Sequence, residues 1–142
     1  MSLTRHEVRV NAVILIYQTL MRDDEIKVLY HIAEESDLMQ IDKAVRETVD
    51  STLAHLEEID GIIQQFSKTR VVARIPKLLL AIMRVAVCEI LYNDRVPDGV
   101  AVSEAVKIVR EYSYFDEDAR FVNGLLGAFV RSRAAGTESE QA

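Results

Sequence analysis

Hydrophobic residues recur at intervals of three and four along almost the whole chain, which is the spacing that buries one face of an α-helix. No stretch alternates regularly enough between apolar and polar residues to predict a β-strand. Only two prolines and five glycines interrupt the pattern. We therefore predict an all-α protein with helices near residues 4–21, 24–35, 40–58, 59–66, 76–93, 99–112 and 117–133.

Local signals mark several of these helix starts. Thr4 and Glu7 have the spacing of a capping box, in which each side chain accepts a hydrogen bond from the backbone N–H of the other residue. Pro76 suits the first turn of a helix, because the N–H that it lacks has no helical partner there. Asp98 is a good capping residue for the helix that follows it.

The length of the chain and its 49% hydrophobic content suit a single domain with one sizeable core. We expect this domain to span residues 1–133. Two small subdomains that share the core remain open at this stage. Residues 134–142 are small and polar, and we expect them to form a disordered tail.

The single cysteine excludes a disulfide within the chain, and a reducing compartment fits best. Residues 1–7 lack the ordered basic, apolar and small-residue regions of a secretory signal. The longest apolar stretch, 78–92, contains two charged residues and is shorter than the roughly 20 apolar residues that a membrane span needs. We therefore expect a cytoplasmic protein that makes no membrane contact.

Charge is unevenly distributed along the chain, although the net formal charge is −6. Residues 23–60 carry twelve acidic and three basic residues, whereas residues 61–84 carry five basic residues and no acidic one. Local fields, more than net charge, decide which anion approaches a surface. A basic face built from the first helix and segment 68–77 can therefore coexist with an acidic face. The acidic block is either a solvated face or a contact for a basic partner.

Residue types that bind metals or perform nucleophilic chemistry do not cluster in the sequence. His6, His31 and His55 are far apart, and none has the spacing of a metal ligand pair. Cys88 lies inside an apolar helix, where a free cysteine packs as a small hydrophobic residue. No glycine-rich phosphate loop is present. We therefore expect neither a metal site nor a cofactor.

Arg5, His6 and Arg9 concentrate positive charge at the start of the first helix, where cations oppose the helix dipole. The free N–H groups of a helix N-terminus attract anions, and two arginines beside them make a phosphate site. The alternative is that these residues are solvated surface charges with Glu7 as a partial partner. The residues alone leave both interpretations open.

Arg84 and Glu89 interrupt an apolar run, and a buried charge is costly unless it is paired and hydrogen-bonded. They are five residues apart, so they do not lie side by side on one helix. We expect each to have a partner on another helix, or to emerge at an edge.

Glu104 and Asn123 also lie between apolar neighbours. Polar side chains in such positions hold helices in register through hydrogen bonds, and we predict structural roles for both. Gly124 and Gly127 lower the helix propensity of the last helix and suggest the close approach of another helix.

Several motifs together resemble one known family. Val-Pro at 96–97 is followed by Val-Ala-Val-Ser-Glu-Ala-Val at 100–106 and Phe-Val-Asn-Gly-Leu-Leu at 121–126. These are similar to the Val-Pro, Val-Ala-Ile-Asn-Glu-Ala-Val and Phe-Val-Asn-Gly-Val-Leu of the bacterial NusB family. Ile-Met-Arg-Val-Ala at 82–86 and the Arg5–Arg9 run before Ile-Tyr-Gln at 16–18 also resemble that family. The resemblance covers about residues 5–131.

The resemblance implies a seven-helix NusB-like bundle of two small subdomains, about 1–58 and 59–133, without catalytic activity. It implies a transcription antitermination factor that binds the single-stranded boxA element of ribosomal RNA leader transcripts. The implied partners are the small-subunit ribosomal protein NusE and the RNA polymerase antitermination complex. By position, Arg5 and Arg9 would contact RNA phosphates, and His6 stands where an arginine is usual. Tyr17 would lie near NusE.

Departures from the family pattern define the alternatives. His6 and Glu7 dilute the basic run, so we expect weaker RNA binding. Ser103 replaces the usual asparagine, and Leu79 replaces an acidic residue on the side that would face the partner. An exposed Leu79 would favour an apolar contact or a homodimer. The second hypothesis is therefore an interaction module or homodimer with weak or lost RNA binding. A third is the detached RNA-binding domain of an RNA methyltransferase.

Overall fold

The computed structural model describes residues 2–141, with side chains described for residues 2–136. Within these residues the chain forms seven α-helices and a short 3-10 turn, and no strand. The helices are α1 (Arg5–Met21), α2 (Ile26–Ser36), α3 (Lys43–Ala54), α4 (Leu56–Phe66), α5 (Lys77–Tyr92), α6 (Asp98–Tyr112) and α7 (Asp116–Gln141), and the 3-10 turn (Val72–Arg74) precedes α5. The all-α prediction with seven helices is confirmed.

The start of α1 is fixed by the predicted capping box. The hydroxyl of Thr4 accepts a hydrogen bond from the backbone N–H of Glu7 at 3.1 Å. The carboxylate of Glu7 in turn accepts one from the backbone N–H of Thr4 at 2.9 Å. These hydrogen bonds lower the pKa of Glu7. Two of the free N–H groups at this helix start are therefore satisfied locally.

α5 is the central helix, and it contacts α1, α3, α4, α6 and α7. Eleven of its 16 residues are buried, as expected of a helix that is apolar on nearly every side. Two contacts show that α1 runs antiparallel to α5. Arg9 pairs with Glu89, whereas Val13, further along α1, shares a small cavity with Ile82, which lies earlier in α5. The start of α1 therefore lies beside the end of α5. No helix in the described part of the chain is long and apolar enough to cross a membrane.

The junction of α3 and α4 differs from the prediction. The sequence pattern placed the break near residues 58–59, whereas the two helices end and begin on either side of His55. The backbone N–H of His55 donates to the Thr52 carbonyl at 3.2 Å, in a tight turn that ends α3. Glu57 and Glu58 then lie in the first turn of α4, where acidic residues interact favourably with the helix dipole. This acidic pair is a local signal for the start of α4, and the prediction from apolar periodicity overlooked it.

Other boundaries also differ. Pro76 lies at the N-cap of α5, just before the first turn. Asp98 is the first residue of α6, and Pro97 takes the N-cap position. α7 continues to Gln141, so its predicted end near residue 133 is corrected, whereas the disordered tail expected from residue 134 stays a prediction. Alanines at 134–135 favour this continuation. Residue 142 lies outside the described residues, and the division into two subdomains stays a prediction.

Candidate nucleic-acid interface

Arg9 and Glu89 form an ion pair that joins α1 to α5. The Nε of Arg9 lies 3.1 Å from each carboxylate oxygen of Glu89, and its Nη2 lies 2.6 Å from Oε1. Each side chain is only 11% exposed. The hydrogen bond to Glu89 raises the pKa of Arg9, against the opposing effect of burial. Glu89 therefore has its partner on another helix, and the charged guanidinium of Arg9 is bound inside the protein.

His6 bridges α1 and α6 through two carboxylates. Its Nδ1 lies 2.8 Å from Glu104 Oε2, and its Nε2 lies 2.9 Å from Glu111 Oε1. Both contacts are hydrogen bonds only when each ring nitrogen carries a proton. The hydrogen bond from His6 lowers the pKa of Glu104, and the charge of Arg9, 4.0 Å away, acts in the same direction. Glu104 thus holds α6 against the start of α1.

Of the three residues that the sequence offered for RNA phosphates, only Arg5 presents an unpaired cation. Arg5 is exposed, and its guanidinium has no carboxylate partner among the described side chains. His6 is half-buried between two carboxylates, and Arg9 is 9% exposed and bound to Glu89. Contact of His6 with a phosphate would require breaking these bonds, whereas Arg9 has only its Nη1 outside the pair with Glu89. The structure therefore gives both residues a part in joining helices that the sequence did not predict.

An open cleft of about 650 Å³ lies where the start of α1, α3 and the end of α5 meet. Its walls combine apolar, hydroxyl, amide and charged groups, and include Leu3, Arg5, Val8, Asp42, Glu47, Thr48, Ser51, Tyr92, Asn93, Arg95 and Val96. Arg95, in the loop between α5 and α6, is exposed and also lacks a carboxylate partner among the described side chains. Two unpaired guanidinium groups therefore line one cleft, and this arrangement can attract a phosphate-bearing ligand.

Tyr92 is the residue of this cleft that the sequence analysis missed. Its ring stacks on His55, with ring centroids 4.1 Å apart and an angle of 23° between the ring planes. Its hydroxyl donates a hydrogen bond to the carboxylate of Glu58. The residue is nevertheless 47% exposed. The only signal in the sequence is an aromatic residue in the last turn of an otherwise buried helix.

Arg84 pairs with Asp60, which joins α5 to α4. The Nε of Arg84 lies 2.9 Å from Asp60 Oδ1, and its Nη2 lies 2.7 Å from Oδ2. Arg84 is 9% exposed. Its partner therefore lies on another helix, as the five-residue separation from Glu89 indicated, and α5 is bound to a neighbour at both Arg84 and Glu89.

Asn123, Gly124 and Gly127 of α7 do not lie at a contact with another helix. Asn123 and Gly124 are exposed, and a Cβ atom added to Gly124 would meet nothing within 4 Å. A Cβ atom on Gly127 would meet the side chain of Arg131 in the same helix at 3.1 Å. The predicted register role of Asn123 and the predicted close approach are therefore wrong. The buried stripe of α7 lies on its other side, formed by Ala119, Val122, Leu125, Leu126 and Phe129.

Leu79 does not face a partner, which corrects its predicted role. It is 1% exposed and packs in the hydrophobic core, because α5 is enclosed on nearly all sides at that level. Tyr17 is half-buried and packs against the same core, so only part of its ring is accessible. Its contact with NusE stays a prediction.

The basic segment 68–77 lies partly apart from this cleft. Lys68, Arg74 and Lys77 are exposed, and the guanidinium of Arg70 lies over the ring of Phe121 at 4.8 Å. Lys77 begins α5, whereas Arg5 lies beside its end, about 24 Å away along a 16-residue helix. The two basic regions therefore do not form one compact cluster.

Comparison with known proteins places these features in a family. The NusB family model matches residues 6–131. The chain belongs to the NusB family. It is 38% identical over 130 residues to the transcription antitermination protein NusB of Thermoanaerobacter sp. (strain X514), covering 91% of each chain. It is 36% identical over 135 residues to the NusB of Finegoldia magna, covering 92% of this chain and 96% of that one.

Solved structures of NusB share the fold. NusB of T. maritima superposes with a TM-score of 0.79 at 24% identity, covering 92% of this chain and 93% of that chain. A crystal structure of the antitermination factors NusB and NusE in complex with double-stranded RNA gives a TM-score of 0.77 at 24% identity, covering 90% and 96%. As a NusB family member, the chain is a non-enzymatic transcription antitermination factor.

Proposed function

We propose that this NusB family member binds boxA-like single-stranded RNA of ribosomal RNA leader transcripts jointly with the NusE ribosomal protein. In this proposal the resulting assembly joins the RNA polymerase antitermination complex. Relatives that act in transcription antitermination support the proposal. The observation that carries it is the open cleft at the start of α1, where Arg5 and Arg95 are unpaired and exposed.

The packing around α1 supports a role for Arg5 as a phosphate contact. Arg9, one turn further along, is fixed to Glu89, and His6 is fixed to two carboxylates of α6. These contacts hold the first turn of α1 in place, so Arg5 is presented from a rigid support. Phosphate contacts release condensed counterions, and binding through Arg5 would therefore weaken as salt is raised.

Fluorescence anisotropy with a labelled boxA-like oligonucleotide and a scrambled one tests the proposal, with and without NusE and at two salt concentrations. We expect selective, salt-sensitive binding that NusE strengthens. Arg5→Glu and Arg95→Glu should weaken it, whereas Lys27→Glu, an exposed reversal on α2 outside the cleft, should not. Equal or absent binding of both oligonucleotides with NusE present would refute the proposal.

The second candidate is a protein-interaction module or homodimer with weak RNA binding. Leu79 no longer supports it, because that side chain is buried. The observation that favours it is the loop between α6 and α7, where Tyr114 is 99% and Phe115 66% exposed. Large exposed aromatic side chains are typical of protein contacts. Sedimentation of the wild type and of a Tyr114→Ser, Phe115→Ser variant distinguishes a homodimer, which the variant should lose, from a monomer.

A further inference from the structure

The charges that line the cleft beside α1 are not balanced once their partners are counted. Asp42 accepts a hydrogen bond from the backbone N–H of Val45 at 2.9 Å, and caps α3. Glu47 pairs with Lys43, one turn away on the same helix, at 3.7 Å.

The third acidic residue of the cleft, Glu89, is bound to Arg9. Each carboxylate of the cleft is therefore engaged, whereas the guanidinium groups of Arg5 and Arg95 are not. An anion would neutralise the two unpaired guanidinium groups, and a phosphate accepts hydrogen bonds well from a guanidinium.

Tyr92 adds a rigid aromatic surface to the same cleft. The stack on His55 holds one part of the ring, and the hydrogen bond to Glu58 holds its hydroxyl. A ring that is fixed from two sides and still 47% exposed loses little conformational freedom when a ligand packs on it. Because every base has a π-face, such a ring binds unpaired bases with little sequence preference.

Polar groups beside Tyr92 are free to bind the edge of a base. The Oδ1 of Asn93 accepts the backbone N–H of Arg95 at 3.2 Å, which leaves the amide N–H₂ to donate. The hydroxyl of Thr48 donates to the Ala44 carbonyl at 2.9 Å, which leaves its oxygen to accept. A donor and an acceptor therefore lie in a cleft that also holds an aromatic face and two cations.

We propose that this cleft is a nucleotide subsite, in which one unpaired base of the bound RNA packs on Tyr92 while neighbouring phosphates are held by Arg5 and Arg95. The volume of about 650 Å³ lies within the range of small-molecule sites. The inference rests on the proposed RNA-binding function and adds a residue, Tyr92, and a ligand chemistry, an unpaired nucleotide, to it.

The test combines protein variants with abasic RNA. A boxA-like oligonucleotide is prepared in versions that each lack one base, and affinities are measured by anisotropy with NusE present. Tyr92→Leu should weaken binding of the intact RNA about 5- to 150-fold, the range found for loss of one stacked base. Tyr92→Phe keeps the ring and should restore most of the affinity. Tyr112→Leu, at the end of α6 and 49% exposed, is the matched control and should have no effect.

The decisive comparison is a double-mutant cycle. One abasic position should weaken binding to the wild type as much as Tyr92→Leu does, and should cost nothing further in the variant. Additive losses at every position would overturn the subsite. If the wild type bound the RNA with NusE and lost affinity on Arg5→Glu, but was insensitive to Tyr92→Leu, the subsite alone would fail. Absent RNA binding would refute the proposed function itself.

A competition experiment distinguishes binding of a nucleotide within RNA from binding of a free mononucleotide. Adenosine and uridine monophosphates are added at millimolar concentration to the preformed complex. We expect little displacement, because one nucleotide lacks the phosphate contacts that a strand makes along the surface. Efficient displacement, lost with Tyr92→Leu, would mean that the cleft is a site for free nucleotides and would overturn the RNA assignment. Thermal unfolding of each variant verifies that it is folded.

Discussion

Replacing Arg9 by methionine should lower the free energy of unfolding by about 3 kcal/mol, because it leaves the carboxylate of Glu89 buried without its partner. Removing one member of a buried ion pair costs roughly 3–5 kcal/mol. Each side chain here is 11% exposed, and the partial access of water places the expected cost at the lower end of that range. For a chain of this size, such a loss corresponds to a fall in melting temperature of about 10 °C.

The assay is denaturation by urea, followed by far-UV circular dichroism, which is sensitive in an all-helical protein. The midpoint should fall while the slope of free energy against denaturant stays the same, because the surface exposed on unfolding hardly changes. The double variant Arg9→Met, Glu89→Leu is the control. Replacing both charges by apolar groups should restore stability to within about 1 kcal/mol of the wild type.

Two results would contradict this reasoning. A loss below about 1 kcal/mol for Arg9→Met would mean that water screens the pair as it does a surface ion pair. A double variant as unstable as Arg9→Met alone would mean that lost packing, and not the unpaired charge, causes the loss. The first result would also weaken the assignment of Arg9 to the protein interior and return it to the residues available for RNA.

Three further predictions concern single residues. Arg5→Ala should reduce the slope of log affinity against log salt by about one, and an unchanged slope in anisotropy titrations would show that Arg5 contacts no phosphate. Glu104→Gln should destabilise the protein at neutral pH but not in acid. The hydrogen bond from His6 lowers the folded-state pKa of Glu104 below the ordinary value of a glutamate, so its contribution is present above that ordinary value and is lost as the pH falls through the lowered pKa. Denaturation at a series of pH values measures this difference, which a constant offset would contradict. Leu79→Ala truncates a core side chain and should lower the free energy of unfolding by about 2–5 kcal/mol. At a low temperature, where the variant is folded, its affinity for NusE should be unchanged. A weaker NusE complex under those conditions would mean that Leu79 contacts the partner after all.

The features that were predictable from the sequence depend on short-range patterns. The start of α1 follows from Thr4 and Glu7, three residues apart, and both sides of that capping box lie within one turn. The buried character of α5 follows from a nearly unbroken apolar run. In both cases the information that decides the structure lies inside the element itself.

The features that were missed depend on which helices meet. Nothing within α1 indicates that Arg9 faces Glu89, 80 residues away, so it looked like a residue free to bind phosphate. Asn123 lay between apolar neighbours in the sequence, yet the stripe that α7 buries passes on its other side. The cleft with Tyr92 combines side chains from three separate parts of the chain, and no local pattern brings them together.

Arg84 and Glu89 of α5 determine how that helix is rotated about its own axis. Each residue of an α-helix turns the chain by about 100°, so Arg84 and Glu89 point in directions about 140° apart. Asp60 of α4 binds the first and Arg9 of α1 binds the second. A helix so apolar could otherwise turn by one residue and still bury a similar surface, but such a turn would leave two charges unpaired. The angular position of the central helix is therefore set by electrostatics, and with it the direction in which Tyr92 enters the cleft.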